Sequence, residues 1–307
     1  MLIDDVLDFA DEEYNSFEIN CGGTCNHPSI CPNYNQADCL NCETCLEQIH
    51  FPKRYRGSTV WTDYDCEKMI NYYICKYLLK YSSEILYALE NNRFIDYLEN
   101  YDILSIGCGA CPDLMAFETY ICNHRLDSTI NYIGIDKNEL WKEVQNQIIQ
   151  YSEDVPDFSV SPFIYDDAIS WLRHHIVRNI DVIVLQYFIS HLNNTRQNNQ
   201  FNDFCDSLID NVVAYKKDNM PMFIIINDAN SCYRGRDRFE VLFDKIREHG
   251  YNCDYRRRYF NYRIQHDEQR YGRMYPNINI KYPVPRFIYQ YNPWEVCSSA
   301  QMIIKID

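Results

Sequence analysis

The sequence predicts an α/β protein built around a doubly wound, mostly parallel sheet of seven strands. Two patterns indicate this fold: from Asp102 onward, short runs rich in Ile, Val and Leu recur along the chain, and helical patterns separate them. Near-continuous apolar runs indicate strands buried on both faces, and alternation with helices indicates parallel pairing. The size agrees with this fold, because 307 residues with 46% apolar content can bury one large core.

The predicted elements follow one another in order from Asp102. The seven strands are DILSIG, NYIGID, FSVSPFIY, DVIVLQYF, MFIIIND, NCDYRRRYF and QMIIKID. The helices between them are predicted near residues 114–122, 139–150, 168–177, 201–215 and 236–249. Residues 261–294, between the last two strands, are rich in tyrosine and interrupted by proline, so we interpret them as an insertion.

Two further segments precede the sheet domain, which we assign to residues 101–307. Residues 1–63 are predicted to form an acidic arm and a small cysteine-rich, metal-binding knot. Residues 64–100 are predicted to form a helical cover over a sheet face, because apolar residues recur there at three- or four-residue steps: Ile70, Ile74, Leu78, Ile85 and Leu89.

The first strand of the sheet runs directly into a glycine-rich stretch, ILSIGCGACPD. Gly107 and Gly109 have no Cβ, so the backbone there can approach a ligand closely, and ligands bind doubly wound sheets at the carboxyl ends of the strands. The next strand ends at Asp136, where an acidic side chain can accept both hydroxyls of a ribose. A tight turn without a ligand is the structural alternative, and a dehydrogenase would share these three residues.

Four motifs along residues 102–307 resemble those of class I S-adenosylmethionine-dependent methyltransferases. LSIGCGACPD resembles motif I, YIGIDKN motif II, FIYDDAISWL the third motif and DVIVLQYFISHL the fourth. The resemblance implies S-adenosylmethionine as the cofactor, with Asp136 on its ribose and with Asp166 or Asp167 and the Ala168 backbone at its adenine. The cofactor-binding residues that it implies are Ser105, Gly107, Cys108, Gly109, Asp113, Asp136, Lys137, Asp166, Asp167, Ala168 and Gln186.

Two residues depart from the pattern of this family. Ser105 stands where the family often has an acidic residue, which removes the usual anchor for the amino group of the methionine. Cys111 stands where the family often has a third glycine, which implies either a widened turn or a drift away from catalysis. A non-catalytic, methyltransferase-like binding subunit therefore stays open beside the methyltransferase interpretation.

The fourth motif does not identify the acceptor. It has neither the N/D-P-P-Y box of nucleobase and amide N-methyltransferases nor a nearby Pro-Cys pair for C5-pyrimidine chemistry. Tyr187 and His191 are candidates to shape the acceptor pocket or to take a proton. In the structural alternative, Tyr187 caps the strand and His191 lies on the following helix. A small-molecule acceptor is compatible with the bulky residues Tyr187 and Phe188.

A cluster of six cysteines lies within 25 residues of the N-terminal segment. Thiolates at two- and three-residue spacings can converge on one tetrahedral ion, so we predict zinc, with an iron–sulfur cluster or disulfides as the alternatives. Such a closed site would serve folding and docking of a protein partner. The predicted ligands are Cys21, Cys25, Cys31, Cys39, Cys42 and Cys45. The other nine cysteines are expected to be buried apolar residues.

The net charge of −15 is unevenly distributed. Residues 1–20 contain seven acidic residues and no Lys or Arg, whereas residues 254–286 contain eight basic and three acidic residues, a local charge of +5. Arginines interleaved with tyrosines in this second stretch are typical of RNA or single-stranded nucleic acid binding. A packing flap whose arginines neutralise the acidic arm is the alternative.

The chain has neither a secretory signal nor a membrane-spanning apolar run. Fifteen cysteines without an export signal indicate a reducing compartment, so we expect a cytoplasmic protein without a membrane partner.

Overall fold

A twisted sheet lies at the centre of the protein in the computed structural model, which describes residues 1–16, 42–50, 64, 66–92, 98, 100–194, 200–231, 235–260 and 271–307. The strands are β1 (Asn100–Ile106), β2 (Thr129–Ile135), β3 (Phe158–Val160), β4 (Val182–Gln186), β5 (Met222–Ala229), β6 (Cys253–Tyr259), β7 (Arg273–Met274) and β8 (Ser299–Ile306). The α-helices are α1 (Leu2–Ser16), α2 (Cys42–His50), α3 (Glu67–Asn92), α4 (Pro112–His124), α5 (Lys142–Asp154), α6 (Ala168–His174), α7 (Phe188–Asn194), α8 (Gln200–Asn211) and α9 (Phe239–Glu248). Short 3₁₀ helices span Glu139–Trp141, Val213–Tyr215, Arg236–Arg238 and Arg286–Tyr291.

The strands are arranged in the order β3-β2-β1-β4-β5-β8-β6-β7. Neighbours from β3 to β5 are parallel, whereas β8 runs antiparallel to both β5 and β6. Each of the seven predicted strands is present. The described part of the sheet has eight strands, one more than predicted, because the two residues of β7 pair with β6 at the sheet edge. Two residues within an insertion carry no strand pattern, so β7 could not be recognised in the sequence.

Alternate side chains of the buried strands enter two separate cores. Ile103 and Val184 pack with α1 to α5 on one face of the sheet, and Leu104 and Ile183 pack with α6, α8 and α9 on the other. Both faces of the central strands are therefore covered by helices. This explains why their sequences are nearly continuous apolar runs, and it confirms the predicted α/β, mostly parallel architecture.

The predicted helical cover is one long helix, α3, which is buried along most of its length. It packs against α1, α2, α4 and the Arg286–Tyr291 helix, and it crosses the sheet near the ends of β4 and β5. Gln186 donates a hydrogen bond to the carbonyl of Tyr81 over 2.9 Å, and Gln301 donates one to the carbonyl of Glu84 over 2.6 Å. Among the described helices, including the 26-residue α3, none is apolar over a length that could cross a bilayer.

The start of the segment predicted as an acidic arm is the packed helix α1. Its apolar side chains are buried against α3, α4 and α5: Leu2, Ile3, Val6, Leu7 and Ala10. On its polar side, Asp11 accepts hydrogen bonds from Gln290 over 2.9 Å and from Tyr291 over 2.5 Å. Asp11 thus pairs with neutral residues beyond the basic stretch 254–286, so this carboxylate does not neutralise one of its arginines.

Candidate functional site

The predicted cofactor residues converge where the sheet reverses its direction of winding. β1 lies between β2 and β4, and the helices that follow β1 and β4 pack on opposite faces of the sheet. Open α/β sheets bind ligands beyond the carboxyl ends of the strands at such a point. A cleft lies there, and every predicted cofactor residue except Asp166 lines it. The two catalytic candidates, Tyr187 and His191, line it as well.

The glycine turn forms the floor of this cleft. Gly107 and Gly109 have φ angles of +69° and +50°, in the left-handed region that favours glycine. The N–H of Gly107 donates to the carbonyl of Ile135 over 2.8 Å, which ties the turn to the end of β2. A Cβ at Gly107 would lie 3.2 Å from the Phe188 ring, and one at Gly109 would lie 3.5 Å from the Trp141 ring. Glycine therefore provides both the turn and the room around it.

Cys111 adopts the backbone conformation that a third glycine would have. Its φ is +55°, and its N–H donates to the carbonyl of Cys108 over 2.8 Å, so the turn stays tight and is not widened. A non-glycine residue in this region costs roughly 1–2 kcal/mol, which the surrounding packing must offset. Pro112 follows at the first position of α4, where no intrahelical N–H bond is lost.

Asp136 directly follows β2, and its carboxylate reaches the glycine turn. The N–H of Gly109 donates to Oδ2 over 2.9 Å, and the N–H of Asn138 donates to Oδ1 over 2.9 Å. Two backbone donors thus fix the carboxylate at the cleft. Each carboxylate oxygen can accept a further hydrogen bond, so the side chain can receive ligand hydroxyls without releasing either amide.

Asp113 contributes a buried carboxylate next to Ser105. It is only 1% exposed, and it accepts hydrogen bonds from the Tyr132 hydroxyl over 3.1 Å and from the Ser105 hydroxyl. Burial raises the pKa of Asp113 to about 6, although both hydrogen bonds oppose the rise. An acidic group therefore does lie beside Ser105, where the family motif often has one, but α4 supplies it instead of β1.

The third motif contains two adjacent acidic residues in different surroundings. Asp167 lines the cleft together with Ala168, and its Oδ1 accepts the N–H of Ser170 over 2.9 Å at the start of α6. Asp166 is exposed, and its Oδ1 accepts the N–H of Asp167 over 2.7 Å. Of the two predicted alternatives, Asp167 is the one that lines the cleft.

Gln186 and Tyr187 connect the end of β4 to α3. The Nε2 of Gln186 donates to Tyr81, whereas its buried Oε1 has no hydrogen-bond partner within the described structure. The hydroxyl of Tyr187 donates to Glu84 over 2.9 Å and accepts from the Lys80 ammonium over 2.7 Å. An unpaired, buried acceptor in the cleft indicates a ligand that donates a hydrogen bond there.

The surroundings of the two catalytic candidates favour the structural interpretation. Burial raises the pKa of Tyr187 well above its ordinary value, so the phenol stays protonated at neutral pH and is not a proton acceptor. Its φ of +54° places it at the turn that follows β4. His191 lies on α7, where its ring stacks on Tyr64 with centroids 6.4 Å apart.

Aromatic side chains that the motifs did not identify form one wall of the cleft. The ring centroids of Tyr64 and Tyr73 are 5.1 Å apart, and those of Tyr73 and Trp141 are 5.7 Å apart. Tyr81 extends the wall to Tyr187, with centroids 4.5 Å apart. These residues come from the helical cover, the segment after β2 and the end of β4. Only the fold brings them together, so no spacing in the sequence identifies them.

Cys42 and Cys45 are the described part of the predicted metal knot. Both lie on α2, three residues apart, and the side chains of both are buried. Within the described ranges, no three His, Cys, Asp or Glu side chains are grouped so that they could hold a metal ion. The remaining predicted ligands lie outside the described residues: Cys21, Cys25, Cys31 and Cys39. Zinc, like the iron–sulfur alternative, therefore stays a prediction.

Comparison with known proteins gives structural likeness at low sequence identity. Neither a protein-family model nor a curated protein matches the chain. A proposed class I S-adenosylmethionine-dependent methyltransferase from Listeria monocytogenes matches with a TM-score of 0.46 and 11% identity, over 99% of this chain and 88% of that one. The plantazolicin methyltransferase BpumL in complex with SAH matches with a TM-score of 0.43 and 12% identity, over 87% of this chain and 95% of that one. TYW2 of P. horikoshii in complex with MeSAdo matches with a TM-score of 0.37 and 12% identity, over 74% of this chain and 61% of that one.

Proposed function

We propose that the protein transfers the methyl group of S-adenosylmethionine to an acceptor. The observation that carries this proposal is the meeting of Gly107, Gly109 and Asp136 in one cleft at the switch point of the sheet. A turn of this kind admits a ligand close to the backbone, and a carboxylate at the end of the second strand can accept ribose hydroxyls. The pair therefore suits a cofactor that contains a nucleoside.

Two features favour S-adenosylmethionine over a dinucleotide. Cys111 and Pro112 stand where a dinucleotide-binding turn usually has its third glycine, which serves close helix–strand packing. In addition, the pair β6 and β8 follows β5, and β8 lies antiparallel between β5 and β6. Late strands of this kind agree with the methyltransferase resemblance of the sequence.

The residues of the cleft fit this cofactor. Asp136 would accept the ribose hydroxyls, and Asp167 and the Ala168 backbone would meet the adenine. Asp113 and the unpaired Oε1 of Gln186 would face the ammonium group of the methionine. The cofactor supplies an electrophilic methyl group when bound. The chain would align the acceptor with that group and exclude water, which is sufficient for much of the rate when the acceptor is a good nucleophile.

Calorimetric titration of the reduced, full-length protein with S-adenosylhomocysteine tests this proposal. We expect saturable binding of one molecule per chain. Incubation of a cell lysate with the protein and methyl-labelled S-adenosylmethionine would then identify the acceptor. If neither S-adenosylhomocysteine nor S-adenosylmethionine binds, the non-catalytic alternative is favoured, and the cysteine-rich segment becomes the first place to seek a protein partner.

For the acceptor, we propose RNA or single-stranded nucleic acid, and the surface of β6 supports this. Arg256 is exposed, whereas Arg257 pairs with Glu240 over 2.5 Å. The guanidinium of Arg258 lies 5.3 Å from the centroid of the Tyr275 ring. Neighbouring residues of a strand face opposite sides, so Arg256 faces away from Arg257 and its partner Glu240. Because Arg256 is also exposed, it is the arginine of this run best placed to contact a phosphate. A small planar acceptor is the alternative, because the wall of the cleft is aromatic.

A further inference from the structure

The glycine turn contains a second chemical feature, the run Cys108-Gly109-Ala110-Cys111. Two cysteines separated by two residues beside a βαβ unit are a candidate redox pair. The hydrogen bond from the N–H of Cys111 to the carbonyl of Cys108, 2.8 Å long, closes a four-residue turn. Such turns hold their end Cα atoms within about 7 Å, and a disulfide needs a Cα separation of about 4.4–6.8 Å. The backbone is thus compatible with a bond between these two residues.

The two side chains are also neighbours. Neither Cys108 nor Cys111 is in a disulfide, and the Cys111 thiol interacts with that of Cys108. Around them, the Sγ of Cys111 lies 3.8 Å from the carbonyl oxygen of Gly109, and the Nε2 of Gln145 lies 3.7 Å from the Sγ of Cys108. Both sulfur atoms therefore contact residues in or beside the glycine turn: Gly109 and Gln145.

The two cysteines differ in their access to the cleft. Cys108 lines the cleft and is 4% exposed, whereas Cys111 is fully buried at the start of α4. Burial raises the pKa of Cys108, so the thiolate is scarce and exchange with a disulfide is slow. A reagent could reach Cys108 through the cleft, and a ligand in the cleft would cover it.

We propose that Cys108 and Cys111 are a redox-active dithiol, which a small disulfide such as oxidised glutathione converts into an intramolecular disulfide when the cleft is empty. The Cys108 thiolate attacks one sulfur of the small disulfide, which releases one thiol and leaves a mixed disulfide on Cys108. Cys111 then attacks the Cys108 sulfur and releases the second thiol. The protein loses two electrons and two protons, and the small disulfide becomes two thiols.

The consequence for ligand binding rests on the proposed function. The new bond would shift Gly109, whose N–H holds the carboxylate of Asp136 over 2.9 Å. Loss of one hydrogen bond to a charged group corresponds to a decrease in affinity of about tenfold or more. We therefore expect S-adenosylhomocysteine to bind the oxidised protein at least about tenfold more weakly, and dithiothreitol to restore the affinity.

The test starts from reduced, full-length protein that is incubated for hours with oxidised glutathione, with or without S-adenosylhomocysteine. Alkylation and peptide mass spectrometry then separate this pair from the other thirteen of the fifteen cysteines. We expect a bond between Cys108 and Cys111 in the empty protein and protection by the ligand. The matched variants should differ: Cys111→Ser retains a glutathione adduct on Cys108, whereas Cys108→Ser leaves the buried Cys111 unmodified.

Two results would overturn the inference. One is a pair of free thiols at Cys108 and Cys111 after prolonged incubation of the empty protein, and the other is a mapped disulfide that leaves the affinity unchanged. If the reduced protein does not bind S-adenosylhomocysteine, the proposed function fails instead, and the mapped disulfide alone then decides whether the dithiol is redox-active. Thermal unfolding of the oxidised protein checks that its fold is intact.

Discussion

The carboxylate of Asp136 accepts hydrogen bonds from the backbone N–H groups of Gly109 and Asn138. By our proposal, it also accepts hydrogen bonds from the hydroxyls of a ribose. Asp136→Ala should weaken binding of S-adenosylhomocysteine by about 1.5–3 kcal/mol, the scale of hydrogen bonds to a charged group. Asp166→Ala is the matched control, since this exposed acid does not line the cleft. Calorimetry measures both variants. Unchanged affinity in Asp136→Ala would remove this residue from the binding site.

Asp113 should make the stability of the fold depend on pH. Its pKa is raised by burial from 3.8 to about 6, so between these values the folded protein keeps a proton that the unfolded chain has released. Stability from this group is therefore highest below pH 3.8 and decreases as the pH rises through 6. Each unit of pKa corresponds to about 1.4 kcal/mol, so the full effect is about 3 kcal/mol.

Asp113→Asn removes this titration and keeps a side-chain oxygen that can accept from Tyr132. Relative to the wild type, the variant should gain free energy of unfolding as the pH rises from 4 to 7. Urea denaturation at four pH values between these limits measures the difference, in which groups that titrate alike in both proteins cancel. A difference that does not change with pH would show that Asp113 has an ordinary pKa.

Most residues that the motifs predicted for the cofactor line the cleft, and they could be predicted from the sequence because each lies in a motif near a strand end. Their partners could not. Ser105 and Asp113 belong to different elements, and nothing in the order of the chain indicates that a serine in the motif is accompanied by an acid from the next helix. Asp166 and Asp167 are neighbours with the same side chain, and only the backbone after β3 determines which one lines the cleft.

At the scale of elements, α3 carries buried charges that join it to the sheet. Lys80 and Glu84 are 4% and 0% exposed, and their charged atoms are 3.2 Å apart. The carboxylate of Glu84 also accepts the N–H groups of Ser298 and Ser299 over 2.9 Å and 3.2 Å, and the Nδ2 of Asn227 over 3.1 Å. One carboxylate thus holds α3 against β5 and the start of β8.

Glu84→Gln should lower the free energy of unfolding by about 3–5 kcal/mol, because it leaves the Lys80 ammonium buried without its counter-charge. Glu90→Gln is the matched control on the same helix. Glu90 and its partner Lys281 are 25% and 29% exposed, so loss of this ion pair should cost less than about 1 kcal/mol. Urea denaturation compares the two variants, and equal effects would contradict a special role of the buried pair.

Elements whose pattern repeats locally could be predicted, and contacts between distant residues could not. The strands after Asp102 were recognisable because burial on both faces requires continuous apolar runs. In α1 the many acids obscured an apolar stripe that begins at Leu2 and Ile3. The hydrogen bond between Glu84 and Tyr187 joins residues 103 positions apart, and no local pattern records such a contact.

The cysteine-rich segment gives a prediction about composition. Purified protein should contain about one or two zinc ions per chain by elemental analysis, and chelation should lower its thermal stability. Replacement of both Cys42 and Cys45 by serine should reduce the zinc content, whereas Cys205→Ser, at a buried cysteine of α8, should not. If the analysis finds iron together with sulfide, the segment holds an iron–sulfur cluster instead of zinc. Protein purified under reducing conditions without any metal would contradict the prediction.

At the scale of the whole molecule, the net charge of −15 opposes a polyanionic partner. The distribution matters more than the sum, since the Debye length at physiological salt is about 8 Å. Acidic residues are concentrated on α1, which packs against α3, α4 and α5, whereas Arg256 and Arg273 are exposed on β6 and β7, the last two strands at one edge of the sheet. Salt therefore screens the distant acidic residues, and a polyanion at this edge of the sheet is affected mainly by the nearby arginines.

Single-stranded RNA should accordingly bind with an affinity that falls as salt rises, because each neutralised phosphate releases counterions. Arg256→Ala should reduce the slope of log affinity against log salt by about 1, the value for loss of one phosphate contact. Arg257→Ala removes an arginine that is already paired with Glu240, so it should leave the slope unchanged. Fluorescence anisotropy at several salt concentrations measures both slopes. If RNA and single-stranded DNA both fail to bind at low salt, nucleic acid is no longer the acceptor class to pursue.

The aromatic wall that contains Tyr81 and Tyr187 then favours a small planar acceptor. The centroids of these two rings lie 4.5 Å apart at the end of β4, and aromatic rings can stack on a planar molecule.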